Sequence, residues 1–141
     1  MTDRVRLAEI TDRPLDPAEV EAAVLGPEHG AVVVFTGAVR DHDDGRAVSA
    51  LEYSAHPQAA VFLHRVCAEV ADDAGLPVAA VHRIGSLTIG DPAIAVAVAA
   101  PHRAEAFHTC AELVDRSKHA VPIWKRQLFT DGMSEWVDAC G

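Results

Sequence analysis

Lysine is nearly missing from this chain. Two lysines stand against ten arginines, and both, Lys118 and Lys125, fall in one stretch, SKHAVPIWKR, residues 117–126. Other shortages bound the reading first. With 12 Lys plus Arg against 21 Asp plus Glu, and a formal net charge of −9, the surface lacks the cationic excess that nucleic acid or an anionic membrane would require. Any bound anion must then be held by a local cationic pocket. Cysteine is scarce too: Cys67, Cys110 and Cys140 form no CxxC pair, which supports neither a disulfide framework nor a zinc knuckle. No apolar run approaches the roughly 18 residues of a membrane span, and MTDRVRLAEI lacks the apolar core of a signal peptide, so the chain reads as soluble and cytoplasmic. No GxGxxG or Walker motif marks a nucleotide site, and no HExxH or EF-hand spacing marks a metal site.

What is present is a chain of 141 residues, half of them hydrophobic, enough for one compact domain over residues 1–141 with a core that needs no staples. RVRLAEI reads as a short strand. In LDPAEVEAAVLGP, Asp16 is placed to cap a helix, Pro17 to open it and Gly26 to follow its end. AVVVFTGAV, residues 31–39, is β-branched and short, hence a buried strand; a charged turn around Gly45 leads to VSALEYS, with Ser49, Leu51 and Tyr53 expected on one face. A second helix runs from Pro57 to about Ala74, with Val61, His64, Cys67, Ala68 and Ala71 at helical spacing and Gly75 closing it. Three strand-like segments follow, broken at Gly85 and at Gly90-Asp91-Pro92. A third helix spans about His102 to Lys118, with Ala104, Phe107, Ala111, Val114 and Lys118 along one face, and PIWKRQLF, a turn at Asp131-Gly132 and SEWVDA close the chain. The order β-α-β-β-α-β-β-β-α-β-β, without repeat or linker, implies an α+β fold with largely antiparallel pairing.

Three places could carry chemistry. His102 and Arg103 begin the third helix, where the macrodipole favours negative charge: either His102 is neutral and Arg103 points to solvent or pairs with Glu105, or a phosphate or carboxylate binds there. Arg40 closes an apolar strand and must leave the core toward something polar, whereas Asp41, His42, Asp43 and Asp44 read as a solvated turn. Lys118, at a helix C-terminus, is stabilised by the dipole, yet arginine would serve there equally. Only an amine can give up its proton and act as base or nucleophile. On the strand, Ile123, Lys125 and Gln127 alternate with Trp124, Arg126 and Leu128, and Pro122 fixes the entry. The cysteines read as core (Cys67, Cys110) or tail (Cys140), and the remaining histidines, His82 among them, as structural. The residues alone thus give an anion pocket with two available amines.

VVFTGAVRDHDDGRAVSALEY, VHRIGSLTIGD, APHRAEAF and VPIWKRQLF, in this order and spacing, resemble the catalytic (large) subunit family of molybdopterin synthase over about residues 5–137. The resemblance implies an α/β-hammerhead with an additional antiparallel sheet. It implies a sulfurtransferase that adds two sulfurs to cyclic pyranopterin monophosphate, forming the dithiolene of molybdopterin in molybdenum cofactor biosynthesis. The donor would be the thiocarboxylated Gly-Gly C-terminus of a small ubiquitin-like sulfur-carrier subunit, and the assembly a homodimer of large subunits with a small one at each end, a heterotetramer. By position it makes Lys118 and Lys125 catalytic and Arg40, His102 and Arg103 substrate-binding. Phe35 and Arg126 would shape or support the site, and neither metal nor cofactor is implied. The chain departs from the family pattern in reading Tyr53-Ser54-Ala55-His56-Pro57 for Tyr-Glu-x-Tyr-Pro, Asp43 for the usual Asn, and Ala100-Pro101 where a Ser precedes the His-Arg pair. Two other classes stay open on residues alone: a non-catalytic module that captures a carrier tail or phosphorylated ligand, and a phosphoester hydrolase.

Overall fold

The computed structural model describes residues 4–138, so Cys140 and the end of SEWVDA lie outside the described residues. Along the chain come β1 (Val5–Thr11), α1 (Pro17–Val24), β2 (Ala31–Ala38), β3 (His42–Asp43), β4 (Arg46–Ala55) and α2 (Ala59–Ala74). Then follow β5 (Val78–Arg83), β6 (Gly85–Thr88), β7 (Pro92–Ala100), α3 (Arg103–Ala120), β8 (Ile123–Phe129) and β9 (Ser134–Asp138). Apart from the two-residue β3, the order is the one read from the sequence, and the architecture is α+β with mixed and antiparallel sheets.

Local chemistry explains most boundaries. The Asp16 carboxylate accepts from the Ala18 N–H at 3.0 Å, capping α1 with Pro17 in its first turn. Gly26 follows the end of α1 as expected, just after the C-cap Leu25, which is extended. Gly75 ends α2 in a left-handed turn, at φ 71°.

The first sheet has the order β1-β5-β7-β2, with β1 parallel to β5 and the remaining pairs antiparallel. β7 is buried on both faces, which is why its sequence is apolar without a break. Ala95, Ala97 and Ala99 face Val20 and Val24 of α1, and these small residues let the helix sit close to the sheet. Ile94, Val96 and Val98 face α2 and α3, packing with Leu63, Cys67, Cys110 and Leu113. Fully burying a leucine such as Leu63 or Leu113 contributes on the order of 2 kcal/mol.

Each long helix buries only part of its expected face: Cys67 and Ala71 on α2, Val114 on α3. α2 buries Leu63, Val66, Cys67, Val70 and Ala71, leaving His64 exposed and Val61 half-exposed. α3 buries Ala106, Thr109, Cys110, Leu113, Val114 and Ser117, leaving Ala104, Ala111 and Phe107 exposed. α3 carries a second apolar stripe through Ala104, Phe107 and Ala111, and the sheet takes the one with Leu113 and Cys110.

The second sheet, β3-β4-β8-β9 with β6 against the other edge of β4, is antiparallel throughout. Asp44 and Gly45, at φ 50° and 78°, make the two-residue turn joining β3 to β4, the backbone twist such a hairpin prefers. Ser49 is skipped in the β4–β8 register, so Val48 and Leu51 share the buried side with Phe129, and Ser49 is exposed rather than in line with Leu51 and Tyr53. Among the described residues no helix is long and apolar enough to cross a membrane.

Candidate active site

The C-terminal turn of α3 passes through Pro122 straight into β8, which pairs with β4. This short connection brings the two lysines together from different elements, a helix end and a strand. Along β8, Ile123, Gln127 and Phe129 are buried and Trp124 is turned outward, so Lys125 shares the inward face, as its alternation predicts.

Lys118 and Lys125 line one cavity of about 230 Å³ at the junction of the two sheets. Gly37 and Ala38 at the end of β2 form one wall, and Arg40, His42 and Asp43 the rim. Tyr53, His82, Ile94 and Gln127 form the floor and the opposite side. Three fixed cations thus face one hollow in a protein of net charge −9. An anion entering it exchanges water for those charges and meets Asp43 as the one carboxylate of the lining.

Asp43 lies with its Oδ1 3.3 Å from Arg40 Nη2, so part of the Arg40 charge is already answered. His42 Nδ1 lies 2.8 Å from Asp41 Oδ1, and that hydrogen bond holds the Asp41 carboxyl below the ordinary carboxylate range. His56 accepts the Gln58 N–H on Nδ1 at 3.0 Å and so shapes the turn into α2.

Gly37 is required by close approach. A Cβ there would stand 2.8 Å from Ile94 Cγ2 and 3.4 Å from the Phe35 ring. Phe35 packs behind Gly37 but does not itself line the cavity; it lines a separate groove with Phe107 and Val114.

His82, Tyr53 and Gln127 belong to the lining without having been singled out as site residues. His82 looked like a lone histidine in an apolar strand. Its signal was parity: Val78 and Ala80, on its face of β5, belong to the core under α2 and α3, and His82, next on that face, lies beside Ser117 at the end of α3. Its Nδ1 is 2.7 Å from the Arg83 carbonyl oxygen and its ring meets Tyr53 edge-on with centroids 5.0 Å apart. Burial, with the Lys118 charge adding to it, lowers the His82 pKa to about 4. Burial raises that of Tyr53.

The other expected site residues lie elsewhere in the chain. His102 caps α3 and Arg103 opens it, 15 or more residues before Lys118, which puts them roughly 23 Å from it along the helix. His102 Nδ1 is 3.5 Å from Glu105 Oε1, so the partner of Glu105 is His102 and not Arg103 as the sequence suggested. Arg126 is on the outer face of β8, its Nε 3.7 Å from Glu52 Oε1 and its guanidinium over the Trp136 ring. Burial pushes the thiols of Cys67 and Cys110 up to about 12 and about 11, so neither is a nucleophile in the fold.

The MoaE protein family model matches residues 10–120. Over 130 residues the chain is 45% identical to molybdopterin synthase catalytic subunit 1 of Mycobacterium tuberculosis, covering 91% of this chain and 88% of that one. It superposes on the crystal structure of molybdopterin synthase from Staphylococcus aureus with a TM-score of 0.85 at 37% identity, covering 92% of this chain and 95% of that one. A complex of subunits 1 and 2 of the molybdopterin-converting factor from Helicobacter pylori shares the fold, with a TM-score of 0.70 at 22% identity over 93% of this chain and 88% of that one. The chain belongs to the MoaE family of molybdopterin synthase catalytic subunits.

Proposed function

We propose that this chain is the catalytic subunit of a molybdopterin synthase and works as a sulfurtransferase. It takes sulfur from the thiocarboxylated C-terminus of a small ubiquitin-like carrier and delivers two sulfurs to cyclic pyranopterin monophosphate. The observation that carries the reading is the convergence of both lysines with Arg40 on one cavity of an otherwise acidic protein. The chemistry needs such a place, because the carrier terminus and the pterin phosphate are both anionic and must meet there.

In each round the thiocarboxylate sulfur forms a C–S bond to the pterin side chain, and the oxygen it displaces leaves with a proton from a lysine ammonium. Water then attacks the acyl carbon and the acyl C–S bond breaks. The carrier departs as a carboxylate and the sulfur stays on the pterin; a second charged carrier repeats the cycle. Lys118 is assigned to the proton transfer beside the reacting carbon. Lys125, aimed from a strand, stabilises the tetrahedral oxyanion and assists. Arg40 holds phosphate at the rim.

His102 and Arg103 can serve the same substrate only from a second copy of the chain, since within one chain α3 holds them a helix length from Lys118. A homodimer with a small carrier subunit at each end accommodates this. Phe35 shapes the cavity through Gly37, and Arg126 supports β8 through Glu52. The test is conversion of the cyclic pterin by the full chain with thiocarboxylated carrier: Lys118→Ala abolishes turnover while fold and carrier binding persist. Unchanged turnover would remove the catalytic assignment, and release of phosphate from model esters without any carrier would favour a hydrolase.

A further inference from the structure

His82 is the cavity group that the chemistry above leaves without a task. The contact of its Nδ1 with the Arg83 carbonyl oxygen fixes the tautomer, because a carbonyl can only accept: Nδ1 carries the hydrogen and Nε2 the lone pair. Among the described residues no side chain or backbone group bonds Nε2, and it is not one of the enclosed polar atoms that lack a partner, so it opens on the hollow that His82 lines. The Tyr53 ring, edge-on to the imidazole, holds the ring plane. The titratable groups facing it are Tyr53 from β4 and Lys118 from the end of α3, while the next residue, Arg83, is engaged with Asp91 at 3.6 Å.

We propose that His82 is a positioning residue for Lys118: the two line the same cavity, and the Nε2 lone pair, which no group of the described residues bonds in this structure, is placed for the Lys118 ammonium to swing onto, which aims the amine into the cavity. This rests on the reading of Lys118 as the catalytic amine. The choice of histidine follows from what the cavity must hold. A carboxylate would anchor the lysine more tightly but would cancel its charge beside two anionic reactants. A neutral acceptor orients the amine and leaves the positive field intact. Burial keeps the imidazole neutral across the working pH range, its pKa being lowered to about 4. A group so weakly basic is suited to accepting a hydrogen bond and not to serving as the general base for the hydrolytic step.

Two measurements on the full chain test this. In the ¹⁵N spectrum of histidine-labelled protein, with the His82 signals assigned through His82→Gln, the account expects a neutral Nδ1–H tautomer at pH 7. It expects the Nε2 resonance to move on Lys118→Met and to stay in place on Lys125→Met. In turnover with thiocarboxylated carrier and cyclic pterin, His82→Phe lowers kcat about tenfold or more with KM for the pterin little changed, the loss of one charge-assisted hydrogen bond. His82→Gln, which keeps an acceptor near the Nε2 position, recovers most of the rate. Equal rates for Phe and Gln, or an Nε2 resonance indifferent to Lys118→Met, would overturn the proposal. The spectra need no turnover, so they decide whether Lys118 bonds His82 even if the chain transfers no sulfur.

Discussion

Asp43→Asn isolates the charge balance of the cavity. Asp43 Oδ1 and Arg40 Nη2 are 3.3 Å apart at the rim, and asparagine keeps an oxygen for that contact while removing the negative charge. Because the two side chains are 38% and 65% exposed, the ion pair contributes at most about 1 kcal/mol to stability. Its effect on an anion in the cavity is larger in proportion. A carboxylate about 7 Å from a bound phosphate, at an effective dielectric constant of roughly 40 to 80, opposes it by about 0.6 to 1.2 kcal/mol. That corresponds to roughly 3- to 8-fold in affinity. Titration calorimetry with the cyclic pterin should therefore show tighter binding to Asp43→Asn at low ionic strength. The advantage should largely vanish near 1 M salt, where the screening length is about 3 Å. Weaker binding by the variant, or a gain indifferent to salt, would mean that Asp43 acts by placing Arg40 and not through its charge.

Other expectations follow from the same geometry. If the His102-Arg103 pair of one copy completes the cavity of another, Lys118→Ala and Arg103→Ala should each be inactive alone. Mixed and allowed to exchange subunits, they should regain about a quarter of wild-type turnover, since half the dimers carry one intact site; no recovery would place Arg103 outside the site. His82 binds a proton less readily in the fold than in the unfolded chain, with a pKa of about 4 against 6.5. The unfolded chain therefore takes up more protons between these values, and stability should fall by up to about 3 kcal/mol as pH drops from about 6.5 to about 4. His82→Gln should flatten that part of a urea-midpoint profile. Cys67 and Cys110, with thiols raised to about 12 and about 11, should resist alkylation at pH 8 in native protein and react once it is unfolded, as peptide mapping would show.

Where one residue's chemistry decides a boundary, the sequence was readable. Asp16 and Pro17 start α1, Gly75 ends α2, and Pro122 with the alternation of Ile123, Lys125 and Gln127 aims Lys125 inward. Where two solutions compete, it was not. Phe107 with Ala104 and Ala111 forms an apolar stripe as regular as the one that is buried, and only the sheet beneath chooses between them. The skipped residue at Ser49 shifts one face of β4 by one position, a feature of pairing and not of composition. For the site, the two lysines and Arg40 were legible as cations left over in an acidic chain. His82 was hidden because its role depends on which helix end its strand face meets. His102 and Arg103 looked adjacent in function to Lys118, but the straightness of α3 separates them within a chain.

A single-turnover experiment tests sulfur transfer through the lysine-lined cavity. The full chain, its carrier bearing a ³⁵S thiocarboxylate, and the cyclic pterin are mixed, and label and carrier are followed together by mass spectrometry. The account predicts two labelled sulfurs in each product pterin and two carriers returned as carboxylates, with neither seen when Lys118 is alanine. Label that stays on the carrier with wild-type protein, or reaches the pterin equally well with Lys118→Ala, would contradict it.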